Sequence, residues 1–312
     1  MYYRKLGATG CLVGEIGIDA WALGLAGGTA HDDATAVAMI RTALLRGANF
    51  LDSGPLSPDS RAERLLSQAL DGRREQALVA TRAGLAHDSA GRATSDLSAA
   101  AIESAARESV ARLGCGYIDL FQLDHPAQHD LENEALWEAL DRLKSDGVIS
   151  HVGAVAATVE SAAAAIAGGR VATVQITLNA AEPALLPVLA QAAAAGVGII
   201  ARAPLAGGLL AGRAAAPSGA ARADGAAPDG FAAEMAALLA ALASESERTA
   251  AQAALGWVLT HEAVSVTVPD ARSLPQLEEN LAASNLPLPS PRHLAAIQHL
   301  QLTGRPMAGA PT

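Results

Sequence analysis

Short apolar runs alternate with longer amphipathic segments along most of the chain. The short runs have the length and β-branched content of buried strands, and the longer segments repeat apolar residues at helical spacing. The predicted strands span residues 16–21, 49–52, 77–81, 117–123, 149–155, 171–177, 197–202 and 264–268. The predicted helices span residues 34–45, 62–70, 98–113, 134–144, 159–167, 184–195, 234–242, 250–260, 274–283 and 292–300.

This alternation predicts the fold class. Strand–helix units that repeat through 312 residues fit an α/β protein with a (β/α)8 TIM barrel better than a doubly wound sheet. No glycine-rich dinucleotide fingerprint follows an early strand, which argues against a Rossmann domain. We predict a single domain over residues 1–312 that begins with a β-hairpin, in which residues 12–13 and 15–16 flank Gly14. A long flexible loop is expected at about residues 205–230, where Gly, Ala and Pro interrupt the pattern.

Charge and composition limit the classes of partner that we expect the protein to bind. The formal net charge is −10 and no dense run of arginines is present, so nucleic acid is not an expected partner. No apolar run approaches the ~20 residues that span a bilayer, and the N-terminus does not begin a signal peptide. Cys11 and Cys115 have neither metal-like nor redox spacing, and the histidines show no metal-like grouping. We expect a cytoplasmic protein that acts on a small-molecule substrate and binds no metal or membrane.

Polar residues occur at the predicted carboxyl ends of strands, where barrel enzymes place their chemistry. These residues are Asp19, Trp21, Asp52, Arg82, Asp124 and His125. Two acids, an arginine and a histidine suffice for general acid–base catalysis. We predict that Asp52 pairs with Arg82 and stays ionised, and that the pKa of Asp124 rises if this residue lies in an apolar pocket. The alternative is a structural Asp124 that is paired with Arg82 or His125. Asp19 and Trp21 are expected to line the substrate pocket.

A series of motifs along nearly the whole chain resembles the aldo-keto reductase family. The motifs are Arg4-Lys5-Leu6-Gly7, Asn49-Phe50-Leu51-Asp52, Ala80-Thr81-Arg82, Tyr117 to Leu123, Gly147-Val148-Ile149, Val152-Gly153, Val174-Gln175 with Asn179, Pro204 to Leu210, and Gln276 to Asn280. The resemblance implies a TIM barrel that binds NADP(H) and reduces carbonyl groups. It also implies four catalytic groups at the barrel mouth: an Asp, a proton-donating Tyr, a Lys that lowers the pKa of that Tyr, and a His.

The chain departs from this set. The four positions hold Asp52, Ser57, Arg82 and Asp124. Ser57 is a poor proton donor and is too short to replace a phenol. The tyrosines and lysines elsewhere in the chain are not expected to reach the mouth. His125 takes the place of the family His only if the strand end is distorted, because neighbouring strand residues point to opposite faces.

The cofactor positions implied by the resemblance are also mixed. Val155 and Ala156 stand where the family places Ser-Asn, and their side chains cannot hydrogen-bond to a nicotinamide amide. Asp270 replaces a glycine and would repel phosphate unless it is neutralised. The cofactor-binding candidates are Gln175, Asn179, Arg202, Leu205, Gly207, Arg272, Gln276, Glu279 and Asn280, with Arg272 expected at a 2′-phosphate. We therefore expect either no cofactor or residual NADP(H) binding.

Three functions remain open. Our first interpretation is a barrel enzyme that has lost hydride transfer and catalyses elimination, isomerisation or cyclisation of a small carbonyl-bearing substrate. The pocket acids favour this lyase, isomerase or cyclase chemistry. An NADP-dependent carbonyl oxidoreductase is the first alternative, favoured by residues 276–280. A catalytically silent binding or partner subunit is the second, favoured by the loss of three of the four catalytic groups.

Overall fold

Eight parallel strands surrounded by helices form the centre of the computed structural model, which describes residues 1–24, 32–54, 60–87, 93–213 and 230–307. The strands are β1 (Tyr3–Lys5), β2 (Leu12–Gly14), β3 (Ile18–Asp19), β4 (Phe50–Asp52), β5 (Leu78–Ala83), β6 (Leu85–His87), β7 (Ala93–Ser95), β8 (Ile118–Asp124), β9 (Ile149–Ala156), β10 (Thr173–Thr177), β11 (Gly198–Arg202) and β12 (Val264–Val268). The helices are α1 (Ala20–Gly24), α2 (Asp33–Leu45), α3 (Arg61–Ala69), α4 (Ala99–Leu113), α5 (Gln128–Leu131), α6 (Glu134–Ser145), α7 (Val159–Ala167), α8 (Leu186–Ala195), α9 (Gly230–Ser244), α10 (Ala250–Leu259), α11 (Leu274–Ala282) and α12 (Pro291–Thr303).

The parallel sheet closes on itself. Its strands lie in the order β3-β4-β5-β8-β9-β10-β11-β12, so each central strand pairs with its neighbours in the chain apart from the β6–β7 hairpin. A bridge between Ile16 and Thr267 joins the two edges, because the Gly17 N–H donates to Thr267 O at 2.8 Å and the Thr267 N–H donates to Glu15 O at 2.9 Å. The predicted (β/α)8 barrel is confirmed, and the carboxyl ends of all eight strands meet at one mouth.

Local sequence explains where the helices around the barrel begin and end. Ser98 caps the N-terminus of α4 by accepting a hydrogen bond from the Ala101 N–H, and Gly114 ends the helix with a left-handed φ of 60°. Asp32 caps α2 in the same way through the Thr35 N–H at 2.6 Å. Apolar faces of these helices pack on the outside of the barrel, where Ile40 and Ile102 are fully buried. The helix positions therefore follow from caps and apolar spacing that the sequence contains.

The N-terminal hairpin differs in position from the prediction. β1 pairs with β2 so that Tyr3 lies opposite Gly14, which places the turn between residues 6 and 11 rather than at Gly14. Leu6 is 1% exposed and packs with Val13, Phe50 and Val266 in an apolar cluster at the bottom of the barrel. Burial of Leu6 holds the turn beneath the strands, and the chain continues from β2 towards β3 without reversing.

The first barrel strand and the long loop also differ from the prediction. The strand predicted over residues 16–21 is short, because α1 begins at Ala20 and contains Trp21. Asp19 Oδ1 stabilises the start of α1 by accepting the N–H groups of Trp21 at 3.0 Å and Ala22 at 3.3 Å. Of the loop predicted at about 205–230, residues 206–211 form a 3-10 helix, and residues 214–229 lie outside the described residues.

Gly198 tests the close contact between the hairpin turn and the barrel. A methyl group at Gly198 would lie 2.7 Å from the Gly7 nitrogen and 3.0 Å from Ser265 Oγ. Because this space is filled by backbone, we expect Gly198→Ala to lower the free energy of unfolding by ~1–3 kcal/mol in urea denaturation. Gly168→Ala is the matched control, since its methyl group would lie 3.5 Å from the nearest atom and its φ is −62°. Equal stability of the two variants would contradict the close contact.

Candidate active site at the barrel mouth

Asp52 is a deeply buried charged group of the mouth. It ends β4, is 1% exposed, and forms an ion pair with the Arg82 guanidinium. Gln122 Nε2 donates to Asp52 Oδ1 at 3.0 Å, and Gln175 Nε2 donates to Asp52 Oδ2 at 2.9 Å. A buried carboxylate needs such partners because desolvation otherwise costs several kcal/mol. The predicted pairing of Asp52 with Arg82 is therefore present, together with two amides that prediction did not assign to it.

Arg82 places a permanent positive charge beside the acids. It lies in β5, and its Nε–H also donates to Ser53 O at 3.4 Å. Burial by itself lowers the pKa of Arg82, but the surrounding carboxylates of Asp52, Asp124 and Asp19 raise it, and the net shift is upward. The guanidinium stays charged at any working pH. It cannot exchange a proton as a lysine could, so it acts as a fixed charge and hydrogen-bond donor.

Asp124 and His125 form a carboxylate–imidazole pair. His125 has a left-handed φ of 54°, and its Nδ1 lies 2.7 Å from Asp124 Oδ1. This backbone distortion brings together two side chains that a regular strand would direct to opposite faces. Burial raises the pKa of Asp124, but the hydrogen bond to His125 and the charge of Arg82 outweigh it, and the net shift is downward. We predicted a raised pKa for Asp124 only if it lies in an apolar pocket, and this condition is not met, because an imidazole and a guanidinium lie beside it.

The acids with a raised pKa are Asp19 and Asp270. Asp19 pairs in register with Asp52 across β3 and β4, and Asp270 lies two residues after β12. Burial is the largest cause of the raised pKa of Asp19, followed by the charges of Asp270 and Asp52. Burial also raises the pKa of Asp270. The division of acids that we predicted for Asp52 and Asp124 thus occurs between different residues.

Neither a tyrosine nor a lysine lies at the mouth among the described residues, which include every Tyr and Lys of the chain. Tyr2 and Tyr3 are 66% and 51% exposed on the bottom hairpin. Tyr117 precedes β8 at the amino end of the barrel, where the Arg74 guanidinium lies 4.1 Å from its ring. Lys144 forms a surface pair with Asp141. Ser57 lies outside the described residues, so its predicted place at the mouth stays a prediction.

A groove of about 410 Å³ lies beside the mouth. It is lined by Ala203, Pro204, Leu205, Gly207, Gly208, Arg213, Asp270, Arg272 and Gln276. Its β11 loop has left-handed backbone at four positions, with φ of 50° at Ala203, 48° at Ala206, 68° at Gly207 and 99° at Gly208. Left-handed alanines are strained, and such backbone is concentrated at ligand-binding sites. The groove therefore has the volume and the backbone of a ligand-binding site.

The predicted cofactor residues fall into two groups. Leu205, Gly207, Arg272 and Gln276 line the groove, and Gln276 Oε1 accepts the Arg272 N–H at 2.8 Å. Gln175 lies in the barrel interior, where its Oε1 is buried without a hydrogen-bond partner among the described residues. No donor from the part of the chain that the structure describes reaches this oxygen.

The remaining cofactor candidates have local partners. Asn179 holds a turn, since its Oδ1 accepts the Glu182 N–H at 2.9 Å and its Nδ2 donates to Ala203 O at 3.1 Å. Glu279 pairs with Arg213, and Asn280 Nδ2 donates to Asp270 O at 3.2 Å. Arg202 ends β11, where burial and the charge of Arg82 lower its pKa. These residues shape the groove and the mouth, and the structure does not assign them a direct ligand contact.

Sequence reasoning assigned no role to Gln122 and Arg213. Gln122 lies two positions before Asp124 on β8, and residues two apart on a strand share a face, so its position at the mouth was predictable. Trp21 was predicted as a pocket wall, and it is half-buried with its Nε1 unpaired among the described residues. Arg213 had no sequence signal, because its place on the groove depends on the pair with Glu279 from a distant helix.

The described residues contain no helix of the length and hydrophobicity that crossing a bilayer requires. They also contain no group of three or more His, Cys, Asp or Glu side chains arranged to hold a metal ion.

A model of the aldo/keto reductase family matches residues 15–300. The chain therefore belongs to the aldo/keto reductase family. This match includes every strand of the barrel and all of the mouth residues described above, and it confirms the resemblance found in the sequence motifs.

Particular relatives agree with this assignment. The chain is 32% identical over 154 residues to the uncharacterized oxidoreductase YqkF of Bacillus subtilis, covering 49% of this chain and 48% of that protein. It is 32% identical over 161 residues to L-galactose dehydrogenase of Arabidopsis thaliana, covering 48% and 47%. The chain thus spans about half the length of these curated relatives.

Solved structures match over a larger share of the chain. The holo form of aldo-keto reductase AKR11C1 from Bacillus halodurans superposes with a TM-score of 0.81 at 26% identity, covering 96% of both chains. A putative aldo-keto reductase from Pseudomonas aeruginosa has a TM-score of 0.70 at 24% identity, covering 90% and 93%, and shows the shared fold alone.

Removal of the Arg82 charge tests the buried pair. Arg82→Met leaves Asp52 without its cation, so we expect the free energy of unfolding to fall by ~3–5 kcal/mol in urea denaturation. The double variant Asp52→Asn/Arg82→Met removes both charges and is expected to recover part of this loss. Arg107→Met is the control, because Arg107 pairs with Asp146 on the surface with 52% of its side chain exposed. A double variant less stable than Arg82→Met would contradict the pairing.

Proposed function

We propose that this protein is an NADP(H)-dependent oxidoreductase that interconverts a small carbonyl compound and its alcohol. The observation that carries the proposal is the groove, which runs from Arg272 and Gln276 to Asp270 at the barrel mouth. Membership of the aldo/keto reductase family supports it, as do relatives named as an oxidoreductase and a dehydrogenase. These findings favour the oxidoreductase alternative over our first interpretation of a non-redox enzyme.

The residues present fit the cofactor. The buried Gln175 Oε1 has no partner among the described residues and can accept the amide hydrogens of a nicotinamide. Left-handed glycines at 207 and 208 allow a ligand to approach the backbone closely. Arg272 supplies a positive charge at the groove wall for a phosphate. Val155 and Ala156 add no hydrogen bond, so the nicotinamide end is held by fewer groups than the rest.

His125 is the residue we propose for proton transfer. NADP(H), when bound, supplies or accepts the hydride. Asp124 engages Nδ1 of His125, which orients the ring and leaves Nε2 to exchange a proton with the substrate oxygen. In reduction the imidazolium gives its proton to the oxygen, and in oxidation the neutral ring takes it back. The fixed charge of Arg82 stabilises negative charge that develops on the oxygen.

Cofactor binding is the direct test. We expect NADPH to change its nicotinamide fluorescence on titration into the purified protein. Arg272→Ala should weaken binding by ~10- to 100-fold, because it removes a charge-assisted contact to phosphate. Arg107→Ala is the matched control and should bind as the unaltered protein does. No binding, or equal binding by both variants, would contradict the assignment of the groove.

A second candidate function rests on the absent phenol and lysine. Without them, the Asp124–His125 pair and Arg82 still suffice for proton abstraction and return at a carbonyl-bearing substrate, as elimination, isomerisation or cyclisation requires. This non-redox function stays a prediction. It is favoured if a panel of small aldehydes, ketones and alcohols gives no cofactor turnover while a substrate is converted without NADP(H).

Variants of the His125 pair test proton transfer. We expect His125→Gln to lower kcat by ~10²-fold or more, because the replacement cannot exchange a proton at neutral pH. Asp124→Asn should also lower kcat, but by less, because it keeps the shape of the side chain and removes the charge that orients the imidazole. Asp146→Asn, a surface change, is the control. Unchanged kcat in His125→Gln would contradict this role.

The depressed pKa of Asp124 also predicts a pH dependence of stability. The hydrogen bond from His125 and the charge of Arg82 outweigh burial and lower the pKa of Asp124. The stability that ionised Asp124 adds to the folded state is therefore present above pH 3.8, and it is lost as the pH falls through the lower folded pKa. We expect Asp124→Asn to unfold with ~1–3 kcal/mol less free energy near neutral pH. The difference should shrink in acid. A difference that grows in acid would contradict the direction of the shift.

A further inference from the structure

Three hydrogen-bonding atoms inside the barrel are buried without a partner among the described residues. They are Gln122 Oε1, Thr173 Oγ1 and Gln175 Oε1, and all three residues are fully buried. Buried polar atoms are rarely left unpaired in folded proteins, because a group that loses its hydration without gaining a partner costs free energy. These three atoms therefore need a hydrogen-bond partner.

The three side chains lie together. Gln122, Gly153 and Thr173 are level on the neighbouring strands β8, β9 and β10. A methyl group at Gly153 would lie 2.4 Å from Thr173 Oγ1 and 3.2 Å from Gln122 Cγ, so these two side chains meet over the glycine. Gln175 follows Thr173 by two positions on β10 and therefore points to the same side of the strand. The unpaired atoms thus belong to one region of the barrel interior.

Asp52 fixes the orientation of both amides. Gln122 Nε2 and Gln175 Nε2 donate to opposite oxygens of this carboxylate at 3.0 and 2.9 Å. An ionised carboxylate only accepts hydrogen bonds, so each amide must direct its NH2 group to Asp52 and its oxygen elsewhere. Rotation of either amide would break a hydrogen bond to a buried charge. Both Oε1 atoms are therefore fixed as acceptors that require a donor.

The Thr173 hydroxyl by itself cannot satisfy both amides. It has one hydrogen, whereas the two amide oxygens need at least two donors. A water molecule can donate to both oxygens and accept the hydroxyl hydrogen, which gives it three polar partners. A cation would use the lone pairs of all three atoms and leave the hydroxyl hydrogen unpaired, and the Arg82 charge beside Asp52 disfavours a second cation nearby. Water therefore fits the three atoms best.

We propose that one water molecule is bound in the barrel interior, where it donates to the Oε1 atoms of Gln122 and Gln175 and accepts the hydrogen of the Thr173 hydroxyl. The water holds both amides with their NH2 groups against Asp52, so it is part of the network that keeps this carboxylate in place. A residue larger than Gly153 would displace Thr173 from the site. Gln175 Oε1 retains a second lone pair for a ligand. The water site does not depend on the proposed function.

A crystal structure of the unaltered protein tests the site directly. We expect a density peak ~2.5–3.0 Å from Thr173 Oγ1 and from the Oε1 atoms of Gln122 and Gln175. Crystals soaked in rubidium chloride should show no anomalous signal there. Absence of the peak from well-ordered density would overturn the proposal. An anomalous peak would also overturn it, because the site would then hold a monovalent cation.

Exchange of the hydroxyl for a methyl group tests the site in solution. Thr173→Val keeps the shape of the side chain and removes the hydrogen that the water accepts. Thr267→Val is the matched control, because Thr267 is also fully buried and its Oγ1 donates to Ala201 O at 3.0 Å. We expect both variants to unfold at a lower urea concentration than the unaltered protein, because each leaves a buried polar atom short of a hydrogen bond.

The direction of the shift in Thr173→Val separates the alternatives. If the hydroxyl had no partner, a methyl group in its place would remove an unsatisfied polar atom and would raise the midpoint of denaturation. A Thr173→Val midpoint at or above that of the unaltered protein would therefore overturn the bound water. Should this variant fail to fold, the density of the unaltered protein decides.

Discussion

The charge of Asp52 at the centre of the barrel is the constraint on which the mouth depends. Strands β5, β8 and β10 each supply one partner, Arg82, Gln122 and Gln175, and these partners point inward because they must reach the same carboxylate. A buried carboxylate without them would cost several kcal/mol. The network therefore fixes the relative positions of the strand ends, and every other mouth residue is placed relative to it.

Around this fixed centre, the acids have opposite properties. The pKa of Asp124 is lowered because an imidazole and a guanidinium lie beside it. The pKa of Asp19 is raised by burial and by the charges of two neighbouring carboxylates. One mouth thus contains an acid with a lowered pKa beside His125 and an acid with a raised pKa beside Asp52 and Asp270. A difference in pKa between neighbouring acids is one way in which proteins assign acid and base roles near neutral pH.

Most of the fold was predictable from apolar spacing. Strand and helix periods are local properties, and capping residues such as Ser98 mark helix starts in the sequence itself. The errors lie at the hairpin turn and the first strand. In both places a contact with a distant part of the chain decides the outcome, since Leu6 is buried against Val266 and the first strand is held by Thr267. The local spacing of apolar residues does not show which distant residues will be in contact.

The sequence by itself determined which residue types reach the strand ends, and therefore that Asp52, Arg82 and Asp124 gather at one mouth without a tyrosine or lysine. This inference holds because the carboxyl ends of parallel strands lie at the same end of the barrel. Only the tertiary structure decided what each group does there. The left-handed backbone of His125 and the register that pairs Asp19 with Asp52 change the pKa of their neighbours. A pKa depends on burial and charge within a few ångströms, and those surroundings come from residues far apart in the chain.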